Sequence, residues 1–192
     1  MGFTEAHAFT KSWEGGLVDH PADPGGITNY GISLRFLRDL GHDVDGDGDV
    51  DANDIRSLTP ETAASLFKEY FWTRPNLDDL PRLTACAHYD ASVNMGIKQA
   101  SKCLQQACNF YPGECLAVDG RIGPKTRARV AEIAKRSGDD LTLALRCVRS
   151  RKRFYTSLAA QKHSLSVFLR GWLNRCTALD VRLQALAKDG TK

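Results

Sequence analysis

The sequence predicts a mainly α-helical fold, and three observations carry that expectation. Apolar residues recur every three to four positions over most of the chain, the period of a helix face and not of a strand. Helix starts are spelled out, as at Thr59-Pro60-Glu61, where a capping hydroxyl, a proline at the first helical position and a first-turn acid follow one another. Against this background Trp13 to Ser33 (WEGGLVDHPADPGGITNYGIS) fits neither period. Its glycines and prolines suit unusual backbone angles, yet it also carries Trp13, Leu17, Val18, Ile27, Tyr30 and Ile32. That mixture predicts a folded loop that positions side chains.

With 192 residues the chain can form one domain or two small ones around a real core, and 42% hydrophobic with 26% charged residues is a soluble composition. No apolar run reaches the length of a membrane span, so membrane insertion is not expected. The start MGFTEAHAFTKSWEGG lacks a basic stretch followed by an apolar one, so no signal peptide is expected and export would need another protein. Residues 1–119 carry 9 Lys and Arg against 18 Asp and Glu, whereas residues 120–192 carry 17 against 5. The basic half favours an anionic polymer or surface. No recognised nucleic-acid motif accompanies it, so nucleic acid is not expected as a partner. The six cysteines form no CxxC pair and no zinc spacing; the expectation is reduced, buried thiols at helical positions.

Residues 3–14 read as a short amphipathic helix with Phe3, Ala6, Phe9 and Trp13 in one arc, stopped by Gly15-Gly16. On that wheel Glu14 lies about 20° from Phe3, beside the apolar stripe. A carboxyl at a helix C-terminus and against aromatic rings favours its proton-carrying form, which a general acid needs. In the loop, Asp19 reads as a turn former before proline. Asp23 reads equally as a turn former or as a second, ionised carboxylate. A pair of such carboxyls can cleave a glycosidic bond, with Asp23 as nucleophile, base or stabiliser and Thr28 positioning a water. Asn29 and Tyr30 close the loop beside Thr28 and are the candidate substrate-binding pair there.

Residues 33–41 predict a second helix with Leu34, Leu37 and Leu40 inward. The next stretch, residues 43–54 (DVDGDGDVDAND), fits the calcium-loop pattern D-x-[DN]-x-[DN]-G. Asp43, Asp45 and Asp47 would give carboxylates, Asp49 its carbonyl, Asp51 a water-mediated contact, and Asp54 the last ligand where glutamate is usual. Ca2+ is therefore expected, in a structural or regulatory role. Residues 59–72 predict a helix whose Trp72 reads as core before sugar platform. Residues 84–109 predict one long helix with Cys86, Tyr89, Val93, Ile97, Ala100, Leu104 and Ala107 inward, and with Asp90 and Asn94 one turn apart on an adjacent, cleft-lining face. The turn Asp119-Gly120-Arg121-Ile122-Gly123-Pro124-Lys125-Thr126 opens another helix and reads equally as wall-binding or scaffold. Residues 139–161 and 164–187 predict two long helices. Leu141, Leu145, Val148, Tyr155 and Leu158 lie inward on the first, and Leu165, Phe168, Trp172, Leu179 and Leu186 on the second. The run Arg146 to Arg153 predicts a solvated basic face.

The 13–33 stretch resembles the signature of glycoside hydrolase family 108, the N-acetylmuramidases of phage lysis cassettes and of some secretion loci. Glu14 stands where that family has its catalytic acid. The spacing is also similar to the Glu-Asp-Thr triad of phage-type lysozymes: eight residues separate Glu14 from Asp23, but four separate Asp23 from Thr28 where five are usual. Asp19 and Ile27 stand where the family often has Asn and Ala. The segment DASVNMG resembles the family's second motif, which makes Asn94 a candidate substrate contact. The turn at 119–126 and FLRGWLNR (168–175) resemble the peptidoglycan-binding module that accompanies this hydrolase. The resemblance implies a lysozyme-like helical domain over 1–108 and a helical wall-binding module over 109–192. It further implies an endolysin-type enzyme, monomeric, made in the host cytoplasm and acting on peptidoglycan in the periplasm or cell wall after a holin or other release system lets it through. A lytic transglycosylase and a non-enzymatic, calcium-dependent wall binder are the alternatives.

Overall fold

A computed structural model describes residues 2–17, 26–137 and 140–189, and the fold over them is mainly α-helical. The chain divides into two compact units, one of residues 10–69 and one of residues 1–9 with 70–192.

The smaller unit is built on a short hairpin. Strands β1 (Thr28–Asn29) and β2 (Ile32–Ser33) pair antiparallel, with Thr28 opposite Ser33 and Asn29 opposite Ile32. The two-residue turn between them has positive φ at both Tyr30 (49°) and Gly31 (81°), the type I′ geometry whose twist matches the strands. Ile27 and Ile32 are buried beneath it. Ser33 then caps helix α2 (Leu34–Leu40) by accepting from the Phe36 N–H, and Gly41 ends it at φ 62°. Leu37, fully buried, is the anchor of α2; Leu34 and Leu40 are only half-buried. The aspartate loop leads into α3 (Ala52–Ser57), which buries Ile55, and α4 (Pro60–Lys68) starts as expected with Thr59 accepting from the Thr62 N–H.

The larger unit is a helical assembly in which α5 (Arg82–Met95), α6 (Ile97–Cys108), α8 (Asp140–Gln161) and α9 (Ser166–Asp189) pack on one another, with α7 (Pro124–Ser137) against α6 and α8. The single helix expected over 84–109 is two. Gly96 takes φ 84°, ending α5 through its N–H to the Ser92 carbonyl while its own carbonyl opens α6. Pro81 has no side chain with which to cap α5. Asp140, at the head of α8, does so from a distance, accepting from the Leu83 and Thr84 N–H groups at 2.6 and 2.9 Å. Trp72 lies in a π-helical turn (Glu69–Thr73), is 2% exposed, packs edge-on against Phe3 and Tyr89, and donates to Asp78 Oδ1. It is a core residue. The buried face of α8 is Leu143, Ala144, Cys147, Val148, Ser150, Arg151, Tyr155 and Ala159, offset from the predicted stripe, of which Leu141, Leu145 and Leu158 stay half-buried. On α9 the buried face begins at Arg175, and Phe168 is 54% exposed, not inward. The basic run is not a uniformly solvated face either: Arg151 is 1% exposed.

Candidate active site and aspartate loop

Helix α1 (Gly2–Lys11) ends one turn earlier than the apolar arc suggested. The Trp13 and Glu14 N–H groups bond to the Thr10 and Lys11 carbonyls, three residues back, so the chain tightens and leaves the helix before Gly15. Glu14 therefore sits in a turn beyond the helix, half-buried, while Trp13 is 39% exposed. Its neighbour is the hairpin turn. A Cβ placed on Gly31 would fall 2.9 Å from Glu14 Cγ and 3.0 Å from Oε2, so the carboxyl rests directly on the bare Gly31 backbone. The hairpin is itself pinned to α3, because the buried Asn29 side chain donates to the Ile55 carbonyl at 3.1 Å. Thr28 Oγ1 donates to the Gly26 carbonyl at 3.4 Å, within its own loop. The structure thus gathers Glu14 with the Thr28–Gly31 turn in one unit. Asp19 and Asp23 lie outside the described residues.

The same unit holds the aspartate loop. Carboxylate oxygens of Asp43, Asp45 and Asp47 lie within 4.8 Å of one another, as do those of Asp49, Asp51 and Asp54. The backbone wraps around these acids. Asp43 accepts from the Gly46 and Gly48 N–H groups at 2.6 and 2.9 Å, Asp45 from Asp47, and Asp47 from Asp49. Gly46 (79°) and Gly48 (100°) take positive φ, which the tight turn requires. Asp51 caps α3, and Asp54, 1% exposed, accepts from the Val44 and Asp51 N–H groups at 2.6 Å each. Burial would raise the Asp54 carboxyl, but these N–H groups overcome it and hold the pKa below the usual range. Asp45 is raised, first by loss of water and then by the charge of Asp47; Asp49 is raised first by Asp47 and then by loss of water. An all-oxygen, multiply anionic set suits a hard divalent cation such as calcium and no soft metal.

Asn94 belongs to the larger unit. Its Oδ1 accepts from Arg151 Nη2 at 2.9 Å and from the Tyr155 hydroxyl. Asp90, expected on a cleft-lining face beside it, is instead 1% exposed, bonded to Arg151 Nη1 at 2.5 Å and Arg175 Nη2 at 2.7 Å. Burial disfavours its charge, yet the two guanidinium groups prevail and keep it ionised. Sequence reasoning missed these arginines as core residues. The available signal was Arg151 lying four residues from both Cys147 and Tyr155, on the buried face of α8. The turn at 119–126 is organised by buried Gln105, whose Nε2 donates to Asp119 Oδ1 and the Arg121 carbonyl and whose Oε1 accepts from Gly120. Asp119, Gly120 and Thr126 are thus held together by the Gln105 side chain.

Residues 7–96 match the family model described as Glycosyl hydrolase 108. This part of the chain is a family 108 glycosyl hydrolase. Residues 99–177 match a model described as "Predicted Peptidoglycan domain". The chain is also similar to the structure of Brucella abortus SagA, at 29% identity and a TM-score of 0.78, covering 99% of this chain and 98% of that one. No curated protein matches it. The protein is therefore a glycoside hydrolase of the peptidoglycan-hydrolysing kind, and both the mainly helical fold and the family resemblance read from the sequence hold. No helix among the described residues is long and apolar enough to cross a membrane.

Proposed function

We propose that this hydrolase is an N-acetylmuramidase that cleaves the β-1,4 bond between N-acetylmuramic acid and N-acetylglucosamine, with Glu14 as the general acid that protonates the leaving oxygen. The observation that carries the reading is the seat of Glu14 on the type I′ turn, inside the family 108 region. A backbone without a side chain lets the carboxyl sit at a fixed place with one face toward solvent. Asp23 is the second carboxylate of this scheme and Thr28 the residue that orients water, with Tyr30, Asn29 and Asn94 as substrate contacts. The hydrolase part is assigned to residues 1–108 and the wall-binding part to 109–192.

Calcium completes the reading. Bound within 43–54, by the carboxylates of Asp43, Asp45, Asp47, Asp51 and Asp54 and the Asp49 carbonyl, it would neutralise a crowd of anions that repel one another in its absence. The enzyme is read as an endolysin-type monomer that meets peptidoglycan in the periplasm or cell wall after release from the cytoplasm by a holin or another system, and that has no nucleic-acid partner.

The test is Glu14→Gln assayed on purified sacculi, with the products of the parent enzyme analysed by mass spectrometry. The variant should lose at least 10²-fold in rate with an unchanged melting temperature, and parent products should carry reducing ends. Full activity in the variant would remove Glu14 from the mechanism, and anhydro products would make the enzyme a lytic transglycosylase.

A further inference from the structure

We propose that the cleft between α6 and α8 is a saccharide subsite, one that binds an acetamido sugar of the glycan strand away from the catalytic acid. The proposal rests on the reading of this protein as a peptidoglycan hydrolase and names what part of the polymer the second region holds. The cleft encloses about 480 Å3, within the usual range for small-molecule sites, and all of its lining residues fall inside the 99–177 match. One stripe of each helix faces it: Gln99 and Gln106, two turns apart on α6, and Ser150, Phe154 and Ser157, at three-to-four spacing on α8.

The lining chemistry is selective. It contains no acid, so it is no cation site, and too many amides and hydroxyls to be an apolar slot. Carboxamides and hydroxyls both donate and accept, which matches ring hydroxyls and the N–H and C=O of an acetamido group. Ser150 lies on the floor of the cleft, 4% exposed, where its hydroxyl can donate to and accept from an entering sugar hydroxyl. At the rim Phe110 is 50% exposed and is flanked by the Arg146 and Arg153 guanidinium groups, 5.6 and 5.4 Å from its centroid. With Phe154 it offers apolar carbon for the C–H face of a pyranose and for the acetamido methyl. Asn109 contributes shape more than hydrogen bonds, since both ends of its amide are taken by the Leu116 backbone.

The experiment uses the full chain carrying Glu14→Gln, so that nothing is digested, with a soluble tetramer of N-acetylglucosamine as the probe and isolated sacculi as the control. In two-dimensional NMR the side-chain amide signals of Gln99 and Gln106 should shift saturably with the tetramer. Gln106→Ala, at an exposed position, should weaken that response at least tenfold, and Ser150→Leu, which fills the floor, should abolish it. Shifts confined elsewhere, or a Gln106→Ala variant that titrates like the parent while sacculi still bind, would overturn the subsite and leave the peptidoglycan reading standing. Failure of the parent to bind either sacculi or tetramer would overturn both. Saturation of the cleft by a sugar-free stem peptide, and not by the tetramer, would also overturn the proposal.

Discussion

Replacing Gly31 by alanine would ask two things of the hairpin at once: a side chain at φ 81°, and room for a Cβ where Glu14 Cγ already stands 2.9 Å away. The first costs about 1 kcal/mol. The second moves the carboxyl, and displacements near 1 Å in an active site cost on the order of 10²-fold in rate. Gly31→Ala should therefore lower kcat on sacculi by about that factor while the melting temperature falls by only a few degrees; unchanged turnover would show that Glu14 does not work from this seat. The cysteines divide equally sharply. Burial pushes the thiols of Cys86 and Cys108 up to about 12 and that of Cys103 to about 11, and raises Cys147 and Cys176 as well, whereas Cys115 is exposed. Thiolate is the reactive form. One thiol per chain should react within minutes with a chromogenic disulfide at pH 8, and six after denaturation; two or more fast thiols in the native protein would contradict this packing.

At the level of elements, the aspartate loop and the α5–α8–α9 contact make opposite kinds of prediction. The loop is held by its own backbone N–H groups and crowded with exposed charge, so a divalent cation should stabilise it. Millimolar calcium should raise the melting temperature by several degrees over chelator, a gain that Asp43→Asn reduces; identical melts would end the calcium reading. The Asp90 contact is already complete, with one buried carboxylate between two buried arginines. Asp90→Asn strips the charge that pairs them and should cost about 3–5 kcal/mol in denaturant unfolding, against which a loss below 1 kcal/mol would count decisively. These cases also show what the sequence could and could not tell. Helix starts and stops at Ser33, Gly41, Thr59 and Gly96 are local chemistry and were legible, although Gly96 was passed over because the apolar stripe continues across it. The sharp turn at Gly48 in the aspartate loop was legible for the same reason. Burial of Asp90, Arg151 and Arg175 was not, since a charge enters a core only when a partner distant in sequence meets it there. The seat of Glu14 depended likewise on a hairpin seventeen residues downstream.

Over the molecule as a whole, acid should be the condition that exposes its weakest point, and that point is not a carboxylate. His88 is 1% exposed, with Nε2 3.1 Å from Ser101 Oγ and Nδ1 3.2 Å from Ser92 Oγ. The two hydroxyls also donate to the His88 and Ile97 backbone carbonyls, each at 2.8 Å, so the ring lies in a closed, buried polar cluster. Burial, with a smaller push from Arg127, lowers its pKa from 6.5 to about 4. Because the folded value is the lower one, the unfolded chain takes up the proton first. The contribution is whole above pH 6.5 and is lost as pH falls from there toward 4, by roughly 3 kcal/mol in all. Asp90 and Asp54, whose folded pKa values are lowered, lose their contributions only as pH falls below the ordinary carboxylate range, so the window between pH 6.5 and 4.5 belongs to the histidine. Thermal melts across that window should fall by roughly 5–10 °C in the parent protein. In His88→Gln, which keeps an amide able to bond both serines and cannot titrate, the curve should be nearly flat. An equal slope in the two proteins would place the acid sensitivity elsewhere.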